Sequence, residues 1–206
     1  MPAPEIATQS LNGGKALGHI CMQVDTLIAN ATIDDLRAIT RNLLATGTPS
    51  LASAFTDAAR TRLRQTSAKR IANTNGLFET GIDGIYAIPT TNLDNILARC
   101  RSLYGAGMGF ASLGLLTSIV SATVGLRWEW DGCMAATLAV IDTDISQAIQ
   151  SCREELEGGR VNDITSAQDT VGKLWNSVQE SLRDVKNWGG EFPFERAADS
   201  IECWKI

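Results

Sequence analysis

The stretch GCMAATLAVIDTDISQAIQSCREELEGG, residues 132–159, with DITSAQDTVGKLWNSVQESLRDVKN, residues 163–187, close behind it, decides the fold class. In the first, Met134, Leu138, Ile141, Ile145, Ile149, Cys152 and Leu156 recur at steps of 4-3-4-4-3-4. Only a helix brings such positions to one side, and the run lasts about seven turns. In the second, Ile164, Ala167, Val171, Leu174, Val178, Leu182 and Val185 repeat at 3-4-3-4-4-3. Two amphipathic helices of similar length, joined by a short glycine-bearing connection, predict a long C-terminal antiparallel hairpin packed seam to seam.

Helical signals continue outward from this pair. Leu17, Ile20, Cys21, Val24, Leu27 and Ile28 share one helical face, and Thr32 with Asp35 three residues on resembles a capping box. Leu36, Ile39, Leu43 and Leu44 form the stripe that follows, closed by Gly47. Thr48-Pro49 opens a third helix running to about Gln65, with proline where its missing N–H costs nothing. Asn73, Asn75, Gly76, Gly81, Gly84 and Pro89 break any period over residues 72–91, which reads as a long loop with a few extended residues around Gly84–Ile88. Thr90-Thr91 starts another helix, Phe110 to Val124 a further one, and Pro193 a last short one. The whole reads as an all-α, single-domain bundle of seven or eight helices over residues 14–206, preceded by a flexible arm over residues 1–13.

Composition bounds the function. The chain has 206 residues, 44% of them hydrophobic and 20% charged, enough to bury a core. Of its 18 basic and 23 acidic side chains, residues 1–100 carry 9 and 8, and residues 101–206 carry 9 and 15. Nucleic-acid binding is disfavoured, because neutralised phosphates supply most of that affinity and a strong positive excess is missing. Cys21, Cys100, Cys133, Cys152 and Cys203 form no CxxC pair and have no histidine nearby, so no metal site and no cofactor is expected. Met-Pro-Ala-Pro-Glu lacks a basic and apolar leader, which makes a cytoplasmic location the expectation and a mature secreted form the alternative.

Leu103–Leu126 is the most unusual segment, 24 residues without a charge, flanked by Arg101 and Arg127. It is long enough for a membrane span, but its glycines at 105, 107 and 109 interrupt a helix and favour a buried central one. Gly105-Ala-Gly-Met-Gly109 invites comparison with anion-cradling loops, yet it follows a helix and lacks the P-loop Lys-Ser/Thr. Asn162-Asp163-Ile164-Thr165-Ser166 resembles the opening of the second metal motif of terpene cyclases. That motif's closing acid is Thr170 here and the companion aspartate-rich motif is missing, so Asn162 or Asp163 is read as a helix N-cap.

An enzyme is not the favoured reading. Its candidate groups are Asp142 and Asp144, an acid pair on one helix, and His19, the sole histidine, which has no evident partner. Candidate interaction residues are more numerous. Arg60 and Arg64 share a helical face within a basic run extended by Arg62, Lys69 and Arg70, while Trp188, Phe192, Phe194 and Trp204 join rigid aromatics to a kinked turn, as interface anchors do. The leading expectation is a non-catalytic module that binds a protein partner or forms a homo-oligomer. A membrane-active protein that inserts residues 103–126 is the second, and an enzyme with an acidic site the third.

Overall fold

A computed structural model describes residues 22–69, 75–82 and 84–204, without the side chains of residues 67–69. The expected arm over residues 1–13, His19, Cys21 and Arg70 lie outside the described residues. The fold is all-α, with eight helices and one two-stranded hairpin among the described residues. The chain divides into two compact units, Met1–Ala54 and Phe55–Ile206.

In the first unit, α1 covers residues 22–30 and α2 spans Ile33–Thr46. Thr32 caps α2 as its spacing requires: its hydroxyl oxygen accepts from the Asp35 amide at 3.1 Å and donates to the Asp35 carboxylate at 2.6 Å. Gly47 ends the helix by donating its amide to the Leu43 carbonyl. No residue of α2 is buried. Helix α3, Pro49–Lys69, begins on the proline and runs somewhat beyond Gln65, across the division at Ala54.

The second unit holds the core. Strands β1, Phe78–Thr80, and β2, Ala87–Pro89, pair antiparallel with Phe78 opposite Pro89 and Thr80 opposite Ala87. Part of the expected loop over residues 72–91 is therefore a β-hairpin. Its strands are three residues long, too short to display an alternating pattern. The Ala87 amide also donates to the Arg127 carbonyl, which ties the hairpin to the segment between α5 and α6.

Helix α4, Thr91–Gly105, follows, with Leu93, Ile96, Leu97, Cys100 and Leu103 buried. Thr90 stands at its N-cap, but its hydroxyl turns back to donate to the Gly76 and Leu77 carbonyls, fastening the hairpin to the helix. Helix α5, Gly109–Ser121, is the uncharged segment, and its Leu113, Leu116, Ile119 and Val120 are fully enclosed. A helix apolar around most of its circumference can hide only at the centre, and α5 packs against α4, α6 and α7. The described residues contain no helix long and apolar enough to cross a membrane.

Helices α6, Cys133–Glu157, and α7, Ile164–Trp188, match the two long amphipathic runs. Asp163 caps α7 by accepting the Ser166 amide at 3.0 Å, and Gly189 ends it in the left-handed conformation at φ 79°. The seams of α6 and α7 meet α5 rather than each other, with the Ser121 and Ser177 hydroxyls 2.9 Å apart on the α7 side. Helix α8, Glu195–Glu202, packs on α6 through Ala197 and Ile201.

Candidate functional site

The two acidic candidates of α6 are both buried, and each is committed to a neighbour. The Asp142 carboxylate accepts the Arg196 amide at 3.3 Å and the Ala197 amide at 2.8 Å, so an acid from α6 caps the N-terminus of α8. Burial pushes this carboxyl above its ordinary value, against the pull of the two amides. One turn's fraction away, Asp144 accepts from Arg101 Nε at 3.1 Å, from Arg101 Nη2 at 2.8 Å and from the Tyr104 hydroxyl at 2.9 Å. Burial, then the Asp144 hydrogen bond, raises the Tyr104 hydroxyl to about 12. Burial likewise raises the Cys100 thiol to about 12. The acid pair thus holds α4, α6 and α8 together, a structural role that accounts for both carboxylates. Among the described residues, no three His, Cys, Asp or Glu side chains converge to hold a metal ion.

Beside these acids lies a groove of about 810 Å³ between the first half of α6 and residues 191–196. Ala135, Ala136, Ala139 and Val140 form its apolar floor, while Trp128, Trp130 and Phe192 form an aromatic wall that Pro193 extends. Small residues keep the α6 surface low, so the depression follows directly from the Ala-Ala and Leu-Ala-Val steps of the sequence. Asp131, Asp142, Asp144, Glu191 and Glu195 border it, opposed by Arg196 alone. Asp144 is matched by Arg101, whereas Asp131, Glu191 and Glu195 have no ion-pair partner among the described residues.

The aromatic candidates divide by environment. Trp188 stacks edge-on against buried Trp128 at 5.2 Å, and the Arg127 guanidinium lies 5.2 Å over its ring. Arg127 in turn pairs with Asp184 at 3.2 Å. Trp204 rests at 6.1 Å from Phe110 beneath Arg153, partly covered. Phe194 is completely enclosed and contacts Phe192 edge-on at 6.0 Å, so Phe194 belongs to the core and only Phe192 reaches the groove. The residue that the sequence reading did not single out is Trp130, 78% exposed at the groove's edge. The spacing Trp128-Glu129-Trp130 does not reveal it, because positions i and i+2 of an extended segment share a side; the chain turns at residue 130, and that turn carries the second indole outward.

The basic candidates also separate. The Arg60 side chain is only 13% exposed; its Nη1 donates to the Ala106 carbonyl at 3.0 Å and its Nη2 to Asp57 at 2.5 Å. This guanidinium closes the C-terminus of α4, where positive charge is favoured. Arg64 is exposed and does not join it. No family model, no curated protein and no solved structure matches this chain.

Proposed function

We propose that this chain is a non-catalytic interaction module whose groove between α6 and residues 191–196 receives a basic, partly apolar segment of a protein partner. The observation that carries the reading is a large exposed aromatic, Trp130, standing over an apolar floor with an acidic border. Exposing an indole costs free energy that a partner recovers by covering it, and Trp is the side chain most often dominant in such contacts. Charge then selects the partner. Three unmatched carboxylates beside one arginine attract Lys and Arg side chains and repel acidic ones, which speeds encounter and suppresses wrong partners. Their alkyl stems can lie along the Ala135–Ala139 floor while their charged ends reach the border.

The test is fluorescence anisotropy with a labelled Lys/Leu amphipathic peptide and its Glu/Leu counterpart on the full chain. The basic peptide should bind, and its affinity should fall as salt rises. Trp130→Ala and Glu191→Lys should each weaken it by about tenfold, the equivalent of about 1.4 kcal/mol. Both positions are exposed, so neither change disturbs the core. Equal binding of the two peptides, or unchanged binding by both variants, would refute the reading.

A further inference from the structure

A second site lies away from the groove, where the ends of α4 and α6 come together at Gly107. The backbone there is left-handed at φ +72°, which a side chain adopts only with strain, and two guanidiniums come within contact distance of the point a Cβ would occupy. Arg60 Nη1 and Arg160 Nη2 each lie 3.4 Å from that point, so at most twice this distance separates them. Arg160 reaches the position by folding back over Gly158, whose missing side chain leaves room for its guanidinium. Each arginine has a structural task, Arg60 at the Ala106 carbonyl and Arg160 Nη2 at the Glu154 carbonyl, 3.0 Å in both cases. These tasks explain each guanidinium singly. They do not explain why two positive charges converge on one point over a glycine.

A terminal guanidinium nitrogen carries two hydrogens. One on Arg60 Nη1 and one on Arg160 Nη2 are used on carbonyls, which leaves one on each. Asp57 meets Arg60 through its other nitrogen, and Arg160 has no ion-pair partner among the described residues. The net local charge of the pair with Asp57 is positive. Glu155 is turned to the Phe110 amide at 3.4 Å and Glu154 is held by Gln150 at 3.2 Å, so each carboxylate has a partner other than the pair. Two N–H groups that converge on one point suit two oxygens of one tetrahedral anion, each in a charge-assisted bond of about 2.8 Å.

We propose that Arg60 and Arg160, converging over Gly107, bind a tetrahedral oxyanion of the phosphate or phosphomonoester class. The experiment measures binding of inorganic phosphate to the full chain by calorimetry, at constant ionic strength maintained with chloride. Arg160→Gln removes one donor. Gly158→Ala keeps every charge but displaces the Arg160 guanidinium, and position 158 has an ordinary φ of −77° that alanine accepts. Both variants should weaken phosphate by about tenfold or more, while the thermal midpoint in chloride falls by no more than the few degrees that losing the exposed bond to the Glu154 carbonyl costs. Flotation with vesicles containing phosphatidic acid, beside a soluble phosphomonoester, separates a lipid headgroup from a free ligand: binding in either arm that Arg160→Gln abolishes supports the site and names its source. Phosphate binding no stronger than chloride, or binding that both variants retain, overturns it.

Discussion

Two glycines of α5 should respond to alanine with opposite signs. At Gly109 a Cβ would stand 2.7 Å from Cys152 Sγ and 2.8 Å from the Ser151 carbonyl carbon, and closer still to the Cys152 amide nitrogen. The obstacle is mostly the backbone of α6, which cannot rotate away, so the two helices must part. Overpacking of this kind costs about 3 kcal/mol, the upper part of its usual range, and the helix preference for alanine returns at most about 1 kcal/mol. The net loss is about 2 kcal/mol. At Gly114, on the exposed side of the same helix, no atom lies within 4 Å of the new methyl. There only the backbone entropy of the unfolded chain changes, and Gly114→Ala should gain about 0.5–1 kcal/mol. For a unit of about 150 residues these values correspond to roughly −6 °C and +2 °C in midpoint. Tryptophan fluorescence during thermal and urea unfolding reads them directly, because all five tryptophans lie beyond residue 127 in the unit that contains α5. A Gly109→Ala variant with the parent midpoint would refute the tight approach of α5 to α6.

Asp144→Asn removes the acid that Arg101 and Tyr104 share; Arg101 is 45% exposed and can return to water, so the cost should be about 1–3 kcal/mol, checked by urea midpoints in a double-mutant cycle with Arg101→Gln. The raised Asp142 carboxyl contributes stability that is complete below the ordinary value of 3.8 and is lost as pH rises through the folded value. Asp142→Asn should therefore flatten the pH dependence of stability just above 3.8, whereas Asp142→Ala should weaken α8 by about 1–2 kcal/mol through loss of its cap, visible as faster amide exchange in residues 195–202; an unchanged pH profile in the first would count against the burial. In a Cys21→Ser background, exposed Cys133 and Cys203 should react rapidly with a thiol reagent at neutral pH, while Cys100 and Cys152, enclosed and with raised thiols, should react only on unfolding; equal rates for all four would contradict the packing of α4 on α6.

Most of the fold was legible because its elements announce themselves locally. The seams of α6 and α7 appear as unbroken three- and four-residue steps, Thr32 and Asp163 each mark a helix start with an oxygen that accepts a backbone amide, and Pro49 opens α3. Leu103–Leu126 announced a central helix by its lack of charge, but nothing local told that it would separate the two long helices, since both seams are complementary to any apolar surface. The hairpin at Phe78–Pro89 shows in the sequence only as a few extended residues around Gly84–Ile88, because strands of three residues carry no period, and the Thr90 hydroxyl works against its usual direction, holding strands instead of capping α4. The site was less legible still. Asp144 finds Arg101 43 positions away and Asp142 finds its amides 54 and 55 positions away, distances over which a sequence pattern says nothing of proximity.

The charges that look functional in the sequence are for the most part engaged in ending helices. Asp163 serves α7, Asp142 serves α8 and Glu155 meets the start of α5, while Arg60 and Arg160 close α4 and α6. Each places an ion where the helix dipole and the unpaired backbone groups call for one. A clustered charge is therefore poor evidence of activity in this molecule unless something remains after that structural role is subtracted. At Asp142 and Asp144 the charge is largely accounted for, by two backbone amides of α8 at the first and by Arg101 and Tyr104 at the second. At the groove, Asp131, Glu191 and Glu195 remain beside an uncovered indole, and at Gly107 one hydrogen remains on each of two opposed guanidiniums. Those residuals differ in sign, so the two proposed sites are distinguished by ligand and variant together: Glu191→Lys should weaken a basic peptide and spare phosphate, and Arg160→Gln should do the reverse.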